Sequence, residues 1–184
     1  APSILEINNN KHIIMAGSYD DNMYAVSPDG EFLFQVETGG NVNSSASFVS
    51  LNGEPYAFFG SDDDYLYAVD MNGVALEGWP QDVGDNVDNS VSFADLDGDG
   101  EPEAIIGVSN RLYVFHMDGN LYERFPITHE FSFTSNPTIK DLDGDGDLEI
   151  TIGSTGELVS IDFVGEGGRL FDDLGLPHWN QGQS

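Results

Sequence analysis

One apolar segment that ends in glycine recurs four times along the chain and restricts the folds open to it. The copies HIIMAG, YAFFG, EAIIG and EITIG end at Gly17, Gly60, Gly107 and Gly153, at spacings of 43, 47 and 46 residues. Self-similarity with a period of about 20–50 residues is typical of solenoids and propellers. We therefore divide residues 1–184 into four units of a single repeat domain, approximately 1–44, 45–89, 90–135 and 136–184.

Each unit reads as four short strands separated by turn residues. In the third unit the strands are SVSFADL, EAIIGVS, RLYVFHM and LYERFPI, with a hairpin turn at Asp118-Gly119. Consecutive apolar residues in YAFFG, AIIG and FLFQV predict strands covered on both faces. The sequence therefore predicts an all-β fold, a β-propeller-type repeat of four four-stranded antiparallel blades. A β-sandwich is the alternative, although four copies of the same strand order at a regular spacing fit it poorly.

The number of units leaves three assemblies open. The chain can form a four-bladed ring, half of a ring that a second chain completes, or part of a larger propeller. The fourth unit departs from the repeat after its third strand and ends in apolar residues that we expect to cap an exposed blade face. These residues are Leu170, Phe171, Leu174, Leu176 and Trp179.

The charge of the chain excludes two classes of partner. With 5 Lys and Arg against 33 Asp and Glu, the net charge is -28. Binding to nucleic acid or to an anionic membrane surface needs the opposite sign. No apolar run is long enough to cross a bilayer, so we expect no membrane insertion. The absence of cysteine excludes disulfides, zinc-thiolate sites and thiol catalysis.

Two acidic stretches, DLDGDGEPE and DLDGDGDLE, lie between the first and second predicted strands of the third and fourth units. Alternate residues of a tight loop can direct three carboxylates at one centre, and calcium requires six to eight oxygens at about 2.3–2.6 Å. Gly100 and Gly146 permit the sharp turn, the carbonyl of the residue after each can add an oxygen, and a glutamate closes the shell. The sequence predicts two calcium sites, formed by Asp95, Asp97, Asp99, Glu101 and Glu103, and by Asp141, Asp143, Asp145, Asp147 and Glu149.

The loop differs from an EF-hand, and the first two units lack it. An EF-hand places a bidentate glutamate at the twelfth position and is flanked by helices, whereas Ile106 or Ile152 stands there and a strand follows. The second unit has the shorter SLNGEPY, with only Asn52 near a ligand position. The first has EINNNKH, which offers Glu6 and Asn8. We expect no tight calcium site in either unit.

On these motifs the chain resembles the FG-GAP (VCBS-type) repeats of bacterial extracellular proteins, which are similar to the calcium-binding blades of the integrin alpha-subunit propeller. The D-x-D-x-D-G-x-x-[DE] loop matches in two units and the strand-glycine-strand pattern in all four. The strings GSYDDNMYAVSPDG and GSDDDYLYAVDMNG also look like quinoprotein-type repeats, which are propellers as well. The resemblance implies structural calcium and an extracellular or cell-surface location as a secreted, bacterial protein.

The resemblance also implies a binding role and no catalysis. His12, His116, His129 and His178 occupy unrelated positions of the repeat, and no nucleophile or phosphate-loop motif is present, so no catalytic or cofactor-binding residue is predicted. We expect a module for adhesion, protein–protein interaction or scaffolding, with a protein or glycan partner at a cell surface or in the extracellular matrix, and with self-association that completes a larger propeller as one option. The alternative is a lectin-like, carbohydrate-binding propeller of a secreted protein or enzyme.

Overall fold

The computed structural model describes residues 1–8 and 11–163, and all of their regular structure is β. The strands are β1 (Ser3–Asn8), β2 (Lys11–Gly17), β3 (Asn22–Val26), β4 (Phe32–Glu37), β5 (Ser47–Leu51), β6 (Glu54–Gly60), β7 (Tyr65–Asp70), β8 (Gln81–Asp82), β9 (Ser92–Ala94), β10 (Glu103–Val108), β11 (Arg111–Phe115), β12 (Ile127–Thr128), β13 (Thr138–Lys140), β14 (Leu148–Gly153) and β15 (Leu158–Phe163). Within the described ranges there is no helix long and apolar enough to cross a membrane.

The strands form four antiparallel sheets, each built from one sequence unit. Strands β1–β4, β5–β8 and β9–β12 make three four-stranded blades in chain order, and β13–β15 make the three described strands of the fourth. Every pairing is between neighbours in sequence, so each blade is a meander whose strands are joined by short turns. This is the predicted propeller-type repeat, and the predicted positions of the second and third strands of each blade are confirmed.

Three apolar clusters join the blades in series. The first blade packs on the second through Met15, Met23, Ala57 and Phe59, among others. The second packs on the third through Phe58 and Ile106, and the third on the fourth through Ile105 and Ile152. Adjacent residues of β6 and β10 therefore face opposite neighbours, and all six residues of β10 are buried. The consecutive apolar runs of these strands arise from this two-sided contact.

The recurring glycine is required by the contact between blades. A Cβ on Gly60 would lie 2.1 Å from Cγ1 of Val87 and 2.5 Å from the carbonyl oxygen of Val87. A Cβ on Gly17 would lie 2.3 Å from the carbonyl oxygen of Val42, in the corresponding connection. In each case the segment that leads into the next blade crosses directly over the glycine. The period noticed in the sequence thus marks the place where a blade connection closes over its own sheet.

Replacement of Gly60 by alanine is expected to destabilise the protein by about 2 kcal/mol, because the added methyl group overlaps backbone atoms of Val87 that cannot move independently. Urea unfolding would measure the change. Gly53→Ala is the control for steric overlap, since a Cβ there meets no atom within 4 Å, although its φ of 84° carries a strain of its own. Equal losses in the two variants would show that crowding against Val87 is not the reason for the glycine.

The fourth strands of the middle blades are shorter than predicted. The run LYERFPI was predicted as a strand, but β12 contains only Ile127 and Thr128, and Leu121 forms one isolated bridge to Phe115. Pro126 cannot donate to a ladder, and the chain before it turns so that Phe125 enters the core. In the second blade, Trp79 enters the core in the same way, and its Nε1–H donates to the carbonyl of Met117 at 2.8 Å.

The first blade differs from the prediction in its burial. The apolar run FLFQV was expected to be covered on both faces, but Phe32 is 58% exposed and Leu33 42% exposed. For Phe32 the reason is positional, because the described residues place no sheet on the face of the first blade that points away from the second. Leu33 is the extra residue at the register shift between β3 and β4 and lines an open pocket with Met71. The predicted cap of Leu170, Phe171, Leu174, Leu176 and Trp179 lies outside the described residues.

Candidate metal centres

Both acidic loops lie at the same end of adjacent blades, between the first and second strands. The third blade carries its loop between β9 and β10, and the fourth between β13 and β14. Glycines with positive φ occur twice in each loop, at Gly98 and Gly100 and at Gly144 and Gly146. Only glycine adopts this conformation without strain, so the DGDG string lets the chain coil tightly with its carboxylates on the inside of the turn.

In the third blade, backbone N–H groups of the loop hold its carboxylates. Gly98 and Gly100 donate to the two oxygens of Asp95 at 2.8 and 3.0 Å. Asp99 donates to Asp97 Oδ1 at 3.2 Å, and Glu101 donates to Asp99 Oδ1 at 2.7 Å. One oxygen each from Asp95, Asp97 and Asp99 lies within 4.8 Å of the others. The loop therefore gathers three of its predicted ligands before any cation is considered.

The loop of the fourth blade repeats this arrangement. Gly144 donates to Asp141 Oδ1 at 2.6 Å, Asp145 to Asp143 Oδ1 at 3.1 Å, and Asp147 to Asp145 Oδ1 at 2.9 Å. Donor atoms of Asp141, Asp143 and Glu149 lie within 4.8 Å of one another. Asp145 is not in this group, and neither Glu101 nor Asp147 contributes a carboxylate to a group in either loop. For Glu101 and Asp147 the sequence had predicted the carbonyl oxygen as the donor.

The glutamate that follows each loop is buried against it. Glu103 is 1% exposed and Glu149 is fully buried. Oε2 of Glu103 accepts a hydrogen bond from Leu96 N–H at 2.8 Å, and Oε2 of Glu149 accepts one from Leu142 N–H. Oε1 of Glu149 has no hydrogen-bond partner among the described residues. A buried carboxylate oxygen without a partner is costly, so this atom requires an explanation.

Burial and the neighbouring charges disfavour ionisation of both glutamates. The pKa of Glu103 is raised to about 7, mainly by burial and also by Asp97 and Asp99, while the Leu96 N–H and His116 act in the opposite direction. Burial also raises the pKa of Glu149, with contributions from Asp143, Asp162 and Asp141 against the Leu142 N–H. Carboxylates that repel in this way gain most from a cation placed between them.

Acidic residues at the opposite end of the blades accept hydrogen bonds from side chains and from a blade connection. Asp63 accepts hydrogen bonds from the Tyr67 hydroxyl and the Gly39 N–H, both at 2.6 Å. Asp62 accepts from the amide groups of Asn41 and Asn43. These side chains tie one blade connection to the next turn. The high negative charge of the chain therefore includes structural hydrogen-bond acceptors as well as the two loops.

Sequence reasoning missed His116 and Asp162. The register pairs Ala104 with Phe115, so Glu103 and His116 face each other, and His116 Nδ1 lies 3.4 Å from Glu103 Oε1. Asp162 occupies the equivalent position opposite Glu149 in the fourth blade. Both residues could have been found from the short hairpin after each glycine, because its length fixes which residues stand opposite the glutamate.

Comparison with known proteins agrees with the blade architecture. Residues 95–152, which contain both acidic loops, match the family of the FG-GAP-like repeat. No curated protein sequence matches the chain. The chain is similar in structure to the C-terminal domain of Pseudomonas aeruginosa PilY1, with 16% identity and a TM-score of 0.66 over 84% of this chain and 39% of that one.

Two further solved structures share the fold. One is the computationally designed Ika4 protein, with 14% identity and a TM-score of 0.64 over 89% of this chain and 92% of that one. The other is BBS1N, crystallised in complex with ARL6DN, with 12% identity and a TM-score of 0.64 over 92% of this chain and 52% of that one. This chain therefore spans about two fifths of the PilY1 domain and half of BBS1N.

At these identities the likeness concerns the fold, while the family match concerns the acidic loops and the hairpins around them. The four antiparallel meanders stacked in series and the two DGDG loops agree with both. The chain is an all-β protein of the β-propeller type, and its residues 95–152 match the FG-GAP-like repeat.

Proposed function

We propose that this chain is an extracellular, calcium-binding propeller module that serves adhesion or protein–protein interaction, or acts as a scaffold. Calcium has a structural role in this proposal, and no catalysis is assigned. One cation binds in the loop of the third blade and one in the loop of the fourth. Each ion fixes the first hairpin of its blade, because its ligands come from the loop and from the strand that follows.

The observation that carries the proposal is the unsatisfied Oε1 of Glu149. This oxygen is buried and has no hydrogen-bond partner among the described residues, and Glu149 belongs to the group formed with Asp141 and Asp143. A carboxylate in this position either takes up a proton or binds a cation. Asp141 and Asp143 offer further carboxylate oxygens within 4.8 Å, and several anionic oxygens around one centre are the ligand set that calcium takes.

The donor chemistry favours calcium over magnesium. The loop of the fourth blade offers only oxygens, from several carboxylates and from backbone carbonyls. Calcium accepts such crowded, irregular sets, whereas magnesium requires near-octahedral geometry and retains several waters. The second blade lacks the acidic loop, because Asn52 and Gly53 form a two-residue turn between β5 and β6. Two calcium ions per chain remain our prediction.

Single substitutions test the two sites. Asp97→Ala and Asp143→Ala are each expected to remove about half of the rise in melting temperature that calcium produces, because each variant loses one of two independent sites. The rise in each variant is measured as the difference between its scans with calcium and with EDTA, so that any direct effect of the substitution cancels. Asn52→Ala is the control and should leave the rise unchanged. An equal rise in all three variants would contradict the assignment of the sites.

An interaction surface is available on the first blade. Ile4, Ile14, Val26 and Phe32 pair across its four strands and form one apolar row, in which Ile4 is 64% exposed and Phe32 58% exposed. The equivalent row in each later blade is buried against the blade before it. Its central residues there are Ala57 and Val69, Ala104 and Phe115, and Ile150 and Ile161, which are 0–5% exposed.

The opposite face of the fourth blade does not match this row. Its central residues are Thr151 and Ser160, which are hydrogen-bonded to each other and replace Phe58 and Ala68 of the second blade. Head-to-tail packing of two copies would place this polar face on Ile14 and Val26. We therefore propose that self-association joins the first blades of two copies about a two-fold axis, since that pairing covers both apolar rows.

Phe32→Asp is expected to weaken this dimer by about tenfold or more, because it places a charge in the apolar row. Sedimentation velocity over a range of protein concentrations would measure the association. Leu158→Asp is the matched control, since Leu158 is 62% exposed on the fourth blade, outside the proposed interface. A wild-type protein that remains monomeric at every concentration would contradict self-association and leave other proteins as the partners.

Carbohydrate binding is the alternative function, and the turns at the end opposite the acidic loops favour it. Tyr19 is 80% exposed there, and Tyr65 and Phe131 are each 37% exposed. Exposed aromatic rings beside amide-rich connections can stack on sugar rings. Phe133, in the same connection as Phe131, is 5% exposed and belongs to the core. Retention on a polysaccharide column that Tyr19→Ala abolishes would favour this alternative.

A further inference from the structure

The two acidic loops differ in one donor that lies next to the buried glutamate. In the third blade this donor is the imidazole of His116, with Nδ1 at 3.4 Å from Glu103 Oε1. In the fourth blade the carboxylate of Asp162 stands opposite Glu149. Donor atoms of Asp97, Glu103 and His116 lie within 4.8 Å of one another. The third blade therefore combines nitrogen and oxygen donors, whereas the fourth offers oxygen alone.

The imidazole and the glutamate are held in place by their surroundings. The backbone N–H of His116 donates to Asn120, and its carbonyl accepts a hydrogen bond from Gly119, in the turn that follows β11. The ring of His116 packs on Tyr122 with centroids 4.9 Å apart. The Leu96 N–H holds Oε2 of Glu103 and leaves Oε1 on the side of the imidazole. These donors come from different chain segments and are ordered by contacts other than the site itself.

The separation of the imidazole and the glutamate suits two ligands of one metal ion, and the nitrogen donor favours a transition metal over calcium. Bonds of about 2.0–2.2 Å from nitrogen and oxygen place neighbouring ligands roughly 3–3.6 Å apart, and the pair formed by His116 and Glu103 already has this spacing. Asp97 is exposed, and its donor atom lies within 4.8 Å of those of Glu103 and His116. Imidazole is a preferred ligand of zinc, cobalt, nickel and copper, whereas calcium and magnesium take oxygen.

Resting on the proposal that both loops bind cations, we propose that the third blade binds a divalent first-row transition-metal ion through Asp97, Glu103 and His116. There this ion displaces the calcium that the loop binds when no such ion is present, and the fourth blade keeps calcium. The chain then binds two different ions at equivalent places of adjacent blades, and one side chain opposite the glutamate selects between them. Asp95 and Asp99 remain in the outer loop, where their oxygens can supply further ligands or bind bridging water.

Titration of the tag-free full-length chain with Co²⁺ in the presence of calcium tests the proposal. A bound Co²⁺ ion with a nitrogen ligand is expected to give visible d–d absorption that saturates at one equivalent per chain. His116→Asp copies the fourth blade and is expected to weaken Co²⁺ binding by about tenfold or more while calcium binding persists. His129→Asn is the matched control, since His129 lies at the opposite end and contacts Glu157.

Each outcome distinguishes this inference from the proposed function. Calcium binding in wild type and in His116→Asp, with Co²⁺ binding lost only in the latter, supports both. Calcium binding with Co²⁺ affinity unchanged by His116→Asp overturns the inference alone. Failure of calcium to raise the melting temperature, together with Co²⁺ binding that requires His116, overturns the proposed calcium role and keeps the transition-metal site. Failure of both ions to bind overturns both.

Discussion

Millimolar calcium is expected to raise the melting temperature of the EDTA-treated protein by on the order of 10 °C, and the same concentration of magnesium by much less. A cation that binds only the folded state, at a concentration 100-fold above its Kd, stabilises that state by about 2.7 kcal/mol per site. Two sites then contribute about 5 kcal/mol, and each kcal/mol shifts the midpoint by about 2–4 °C in a domain of this size.

The physical reason for so large an effect is the state of the loops without an ion. Four carboxylates in each stretch repel one another, and each buried glutamate is desolvated against them. A divalent cation removes the repulsion and satisfies Oε1 of Glu149 at the same time. Differential scanning calorimetry in EDTA, in calcium and in magnesium measures the effect. Equal shifts with both ions would indicate general charge screening, and no shift would mean that the loops are solvated turns.

The blade architecture was predictable from the sequence because it repeats. The apolar segments before Gly60 and Gly107 have no single-sided alternation, and this pattern alone indicates a sheet packed between two others. The same pattern was misleading for Phe32, because the first blade retains the residues of an inner blade while its outer face has no neighbouring sheet in the described part of the chain. A local pattern does not show whether a blade stands at the end of the series of packed blades.

The short fourth strands could not be predicted, because Trp79 and Phe125 leave the edge of the sheet to fill the core between blades. That choice depends on the volume available in the neighbouring blade, which the sequence does not display. The closeness of the loop carboxylates was predictable from their spacing, since residues within five positions of a turn come close in space for local reasons, and their binding of a cation stays a prediction. His116 was not predicted as a site residue, because it is 13 positions from Glu103 in the sequence. Only the register of β10 and β11 brings the two residues together.

The metal-free protein is expected to lose stability as the pH rises from about 4.5 to above 7, and Glu103 is the main cause. Its pKa rises from an ordinary value of 4.5 to about 7 on folding, so the folded state favours the protonated acid. The stabilisation is therefore full below the unfolded pKa and is lost as the pH rises through the folded one. The difference corresponds to about 3 kcal/mol.

Glu103→Gln should remove most of this pH dependence in EDTA, because the amide stays neutral at every pH and can still accept the Leu96 N–H. The variant is then expected to be more stable than wild type above pH 7 without metal, and less stable than wild type once calcium is added, since it has lost an anionic ligand. This reversal distinguishes a ligand from a core residue that merely packs well. Urea unfolding at pH 5 and pH 8, with and without calcium, measures it.

Glu101→Gln is the control, because Glu101 is exposed in the same loop and should change neither difference. A Glu103→Gln variant that is less stable than wild type under all four conditions would mean that the buried carboxylate is structural and binds no cation.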